Sequence, residues 1–154
     1  SALGRAFVEG ARRGLRIFFN PSPITRELAA LPLELASCLI VNEVEGEALT
    51  GEGEPGAMLA ALRRRCPATD LVLTLGAGGL RYAGRDGRAI SMEAERVAVV
   101  DTTAAGDTFA GYFVASIARG EDAEQALREG TKAAAICVSR RGASTSIPWR
   151  RELG

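Results

Sequence analysis

Four short apolar runs in this chain each stop on a polar residue or a glycine: residues 15–19 on Asn20, 39–41 on Asn42, 71–75 on Gly76 and 97–100 on Asp101. Runs of this length, bounded by turn formers and alternating with helix-patterned segments, predict strands in an α/β fold. In open α/β sheets ligands bind beyond the carboxyl ends of the strands. Asn20, Asn42, Gly76 and Asp101 are therefore expected along one functional rim.

The intervening segments read as helices at 2–13, 43–49, 55–65, 102–118 and 123–139. Pro55 suits a first turn, Arg63, Arg64 and Arg65 suit a last turn, and Asp122 suits a cap. Phe109, Phe113 and Ile117 recur four apart on one face. Residues 80–83 and 89–92 flank Arg85-Asp86-Gly87, a hairpin signature. Residues 142–148 read as an irregular tail.

Composition narrows the function classes. Hydrophobic residues make up 47% and charged residues 25%, so a packed core is expected and disorder is not. The 154 residues suit one domain, taken as 1–154. Nineteen basic residues balance nineteen acidic ones, which argues against a nucleic-acid partner. No apolar run approaches a membrane span. Without histidine, Ser-His-Asp and Cys-His catalysis are excluded within the chain. Cys38, Cys66 and Cys137 show no metal or disulfide spacing, and a reducing cytoplasm is the expected location.

The segment richest in chemistry is Asp101-Thr102-Thr103-Ala104-Ala105-Gly106-Asp107-Thr108-Phe109. Small residues at 104–106 let a ligand approach the backbone, and a helix start leaves N–H groups unpaired, a ready anion site. Asp107 then stands beside that anion, placed to deprotonate a hydroxyl. The same residues also fit an ordinary helix start, with Asp107 complementing the dipole and Thr103 or Asp101 capping. Local spacing leaves both readings open. Gly76-Ala77-Gly78-Gly79 is a second glycine-rich loop. It is not a dinucleotide fingerprint, since Arg81 stands where the third glycine belongs, and no G-x-x-x-x-G-K-[ST] string exists.

The 101–109 string resembles the second signature of the ribokinase/PfkB carbohydrate kinases, D-T-x-[GA]-A-G-D-[ST]-F. The likeness continues to the tail Gly142-Ala143-Ser144-Thr145-Ser146-Ile147-Pro148-Trp149-Arg150, which is similar to the ribokinase branch. Asn42-Glu43-Val44-Glu45 resembles the family's N-x-x-E motif, and Gly46 with Leu49-Thr50-Gly51 follows as in ribokinases. Leu73-Thr74-Leu75-Gly76-Ala77-Gly78-Gly79 resembles the T-L-G-x-x-G loop. Two departures are Val41, where proline often precedes the asparagine, and Ala104, where glycine is commoner. The likeness covers the whole chain but only the second half of the family pattern.

The resemblance implies a ribokinase-like three-layer α/β/α domain, truncated at its N-terminus. It implies an ATP-dependent sugar kinase with Asp107 as catalytic base and the N–H groups of Ala104, Ala105 and Gly106 as anion hole. Asn42, Thr74, Gly76, Gly79 and Thr131 would contact the nucleotide. Glu45 would order Mg²⁺ through water. Asp101, Thr103, Cys137, Arg140, Gly142 and Ser146 would form a K⁺ loop. ATP and a small sugar are the expected partners, with self-association into a homo-oligomer. Two alternatives stay open: a same-fold kinase of a nucleoside, a vitamin or another sugar, and a non-catalytic nucleotide-binding fragment. The isolated chain is expected to be inactive alone.

Overall fold

Strands β1 (Phe18–Phe19), β2 (Cys38–Asn42), β3 (Asp70–Thr74), β4 (Leu80–Ala83) and β5 (Ala89–Met92) form one sheet in chain order in the computed structural model, which describes residues 1–154. β1, β2 and β3 run parallel, and β4 and β5 return antiparallel. The helices are α1 (Ala2–Arg12), α2 (Arg26–Ala29), α3 (Glu43–Thr50), α4 (Pro55–Arg65), α5 (Ala105–Ala118) and α6 (Ala123–Val138). The chain divides into two compact units, Ser1–Met92 and Glu93–Gly154. The first holds the whole sheet.

In the first unit, Cys38 to Val41 of β2 and Leu71 to Val72 and Leu73 of β3 are all buried, so both faces of these strands are covered. That is why they read as continuous apolar runs rather than as alternation. On one face, Leu39, Val41, Leu71 and Leu73 join Phe7 of α1, Leu33, and Met58 and Leu62 of α4 in the core. Helix α3 can lie close to α4 because Gly46 has no side chain: a Cβ there would stand 2.9 Å from Met58 Sδ.

The sheet places the first part of the rim as expected. β2 and β3 are in parallel register with Asn42 opposite Thr74, so both lie at carboxyl ends. Asn20 follows β1 and donates its side-chain Nδ2–H to Ile40 O at 2.8 Å. The glycine-rich loop after β3 is followed by the β4–β5 hairpin, not a helix, which excludes a dinucleotide fold on context as well as spacing.

In the second unit, α5 and α6 pack along each other, with residues 119–122 between them. Phe109 and Phe113 stack with ring centroids 6.0 Å apart. Gly130 lets α6 approach this pair: a Cβ there would come within 2.8 Å of the Phe109 ring and 3.0 Å of its carbonyl oxygen.

Three expected boundaries are corrected. The strand expected at 97–100 does not form: Val97, Val99 and Val100 are exposed, and no strand of this chain pairs with them. Apolar sequence alone does not make a strand without a ladder partner. The helix expected from Thr102 starts at Ala105, because Ala104 is left-handed. The run 15–19 yields only Phe18–Phe19, since Leu15 is exposed.

Candidate active site

The start of α5 has no side-chain cap and begins at a left-handed residue. Ala104 has φ 62° and ψ 8° and is the one non-glycine residue of the chain with positive φ. An L-residue pays roughly 1–2 kcal/mol for that conformation, and such strain concentrates where a loop is held for a ligand. Helices α1, α3, α4 and α6 each have a side chain capping the first turn, whereas α5 has none. The Ala105 N–H reaches only Thr102 O, at 3.3 Å, and the N–H groups of Ala104, Gly106 and Asp107 have no partner within the chain. Of the expected trio, Ala104 and Gly106 keep free N–H groups and Ala105 makes one long bond, while the Asp107 N–H is also free. The exposed Asp107 carboxylate is on the third residue of the same turn.

The loop before α5 is tied down from behind. Asp101 Oδ1 accepts from Thr103 N at 2.9 Å and Oδ2 from Gly142 N at 3.1 Å. Hydrogen bonds from Thr103 and then Gly142 hold the Asp101 carboxyl below the usual carboxylate range. Val138 O accepts from Val100 N and Asp101 N. Cys137 and Ser146 are both fully buried, with Cys137 Sγ 3.6 Å from Thr103 O and 3.2 Å from Ser146 Oγ. Arg140 N–H donates to Cys137 O, and the Arg140 guanidinium pairs with Glu152 at 2.6 Å. The carbonyls of Arg140 and Gly142 accept no hydrogen bond within the chain. Of the expected K⁺ group, Asp101 is tied to Thr103 and Gly142, and Cys137 to Thr103 and Ser146, while Arg140 is linked only through its own N–H to Cys137 O.

Thr131 lies half-buried on α6, and its buried Oγ1 has no partner. The Thr108 Oγ1, buried in the first turn and a half of α5, is equally unpartnered. Tyr112 escaped the sequence reading. It donates its hydroxyl to Pro148 O at 2.6 Å and pins the tail to α5. An aromatic on a helix face carries no mark of such a distant partner.

In the other unit, Asn42 and Glu45 form a reciprocal capping box. Asn42 Oδ1 accepts from Glu45 N and Glu45 Oε2 accepts from Asn42 N, both at 2.9 Å. The pair therefore has a structural task at α3, with the Asn42 amide nitrogen and Glu45 Oε1 left over. Glu45 is only 3% exposed, unusual for a carboxylate on a capping box. Gly76–Gly78 is a single tight turn closed by Leu75 N–H to Gly79 O at 2.8 Å. Gly76 and Gly79 have φ of 52° and 84°, so both positions favour glycine. Thr74 Oγ1 makes only a long bond to Val41 O, at 3.4 Å. The loop is exposed from Gly76 to Gly78.

The sequence profile described as pfkB family carbohydrate kinase matches residues 9–150. Ribokinase from Haemophilus influenzae is 37% identical over 145 residues, covering 92% of this chain and 47% of the relative. Ribokinase from Arabidopsis thaliana, solved with ribose and ATP, superposes with a TM-score of 0.80 at 26% identity, covering 97% of this chain and 51% of that one. An E. coli structure holding ATP and Mg²⁺ gives a TM-score of 0.84 at 26% identity, covering 99% and 52%. The chain spans about half the length of the relatives it matches.

Proposed function

This chain belongs to the pfkB family of carbohydrate kinases, and from that premise we propose that residues 1–154 are the nucleotide-binding part of an ATP-dependent sugar kinase acting on a sugar such as ribose. The observation that carries the reading is the uncapped start of α5, with a carboxylate in the same turn as free N–H donors. Asp107 takes the proton of the sugar hydroxyl as its oxygen bonds to the γ-phosphorus and the bond to ADP breaks. The N–H groups of Ala104, Gly106 and Asp107 stabilise charge on the transferring phosphoryl oxygens. Because they are fixed before the reaction, they need no reorganisation as the charge develops.

The nucleotide side is read from the first unit. The Gly76–Gly79 turn and Thr74 offer close backbone approach along ATP, and the free Asn42 amide is a donor for phosphate. Glu45 Oε1, nearly sealed from solvent, suits a water-mediated hold on Mg²⁺, which keeps several waters and few protein ligands. Mg²⁺ supplies positive charge to the phosphate oxygens. Thr131 offers its unpartnered hydroxyl to the base of the nucleotide. The oxygen-rich set of Asp101, Thr103, Cys137, Arg140, Gly142 and Ser146 suits K⁺ by donor chemistry, and the free Arg140 and Gly142 carbonyls support that fit. Such an ion would brace the loop without touching the sugar.

The experiment is a coupled assay of sugar-dependent ADP release by a polypeptide that unites this segment with a sugar-binding half. Release at an ordinary enzyme rate, rising with K⁺ at constant ionic strength, is expected. Nucleotide binding without any sugar-dependent turnover would favour the non-catalytic module instead.

A further inference from the structure

Hydrogen-bond accounting around Cys137 leaves one proton for two acceptors. Ser146 Oγ stands 2.7 Å from Ala143 O, which can only accept, so the serine proton is committed there. Toward Cys137 Sγ, at 3.2 Å, Ser146 can then only accept. Thr103 O, 3.6 Å from the same sulfur, also can only accept. The single S–H proton serves both, inside a site with no exposure at either Cys137 or Ser146. Thr103 O accepts from no other group within the chain, so the thiol is the one donor placed near it, with Ser146 Oγ the second oxygen in its reach.

Both acceptors belong to the group read above as the K⁺ loop, and the inference rests on that reading. We propose that Cys137 is a positioning residue whose thiol stands in for the cation, pairing with Thr103 O and Ser146 Oγ until the ion displaces it. The thiol stabilises the empty loop and is spared when the ion arrives. By linkage, removing it weakens the empty state more than the filled one, and cation affinity rises.

The test is thermal unfolding of this chain across a KCl series, with tetramethylammonium chloride holding ionic strength, for wild type, Cys137→Ala and Cys137→Ser. Cys66→Ala, buried in the other unit, is the control. The half-saturating K⁺ concentration for the shift in Tm is expected to fall about 2–5-fold in Cys137→Ala, the worth of one weak hydrogen bond. Cys137→Ser, which keeps a donor, and Cys66→Ala should match wild type. A wild-type response to K⁺ that Cys137→Ala leaves unchanged overturns the role of the thiol alone. No response in any variant overturns the cation reading and the thiol's role together.

Discussion

Ala104 is the residue where backbone strain and proposed chemistry meet. Its left-handed backbone opens the first turn of α5, and a glycine would hold the same shape without a Cβ clash. Ala104→Gly should therefore leave the chain as stable as wild type or slightly more so, while Ala104→Val should cost about 2 kcal/mol or more, because a branched side chain tolerates that region worst. Thermal or urea unfolding of the three proteins checks the order. An equal loss in both variants would mean the turn is not left-handed. Asp101 gives a prediction in pH. Its folded carboxyl titrates below its ordinary value of 3.8. The stabilisation from its ties to Thr103 and Gly142 is thus fully present above that ordinary value and is lost as pH falls through the lower folded one. The Tm difference between wild type and Asp101→Asn should stay constant from pH 7 to pH 5 and close only below about 4. A difference that closes near neutral pH would contradict the assignment.

Among the elements, the two helix pairs tolerate a methyl group differently. A Cβ at Gly130 of α6 meets both the Phe109 ring and its backbone carbonyl, which cannot move aside. A Cβ at Gly46 of α3 comes too close only to the flexible Met58 side chain, at 2.9 Å from Sδ, with Leu73 Cδ1 at an ordinary 3.4 Å. Gly130→Ala should destabilise by about 1–3 kcal/mol and Gly46→Ala by distinctly less, measured by denaturant unfolding. Comparable losses would show that α3 and α4 pack as rigidly as α5 and α6. These elements were readable because their sequences agree locally: α4 begins at Pro55 and ends at its arginines, and the β4–β5 hairpin turns at Arg85-Asp86-Gly87 as expected. The 97–100 segment was misread because its valines carry strand propensity, whereas pairing depends on a neighbour that local sequence does not disclose. Likewise, the placement of Asn42 at the end of β2 and of Asp107 in the first turn of α5 was legible from position, while their proposed roles await test. The Tyr112 tie to Pro148 and the thiol contacts of Cys137 were not, since each joins residues far apart in the chain.

The molecule as a whole carries the proposed base, an uncapped helix start and a glycine-rich turn within about half the length of its relatives. Residues 1–154 alone should bind MgATP weakly in a calorimetric titration and release no ADP in response to ribose, because turnover needs the acceptor hydroxyl held beside Asp107 and these residues match only about half of a relative's length. Sugar-dependent turnover by the isolated chain would show that it assembles a complete site by itself. The central claim is that Asp107 is the base of phosphoryl transfer. It is tested most directly by the steady-state kinetics of Asp107→Asn in an active polypeptide carrying this segment. The account predicts that kcat falls by about 10²–10⁴, the usual worth of a positioned base, while the KM for ATP changes little. Near-wild-type kcat in that variant would contradict it and return Asp107 to the role of a helix-dipole partner.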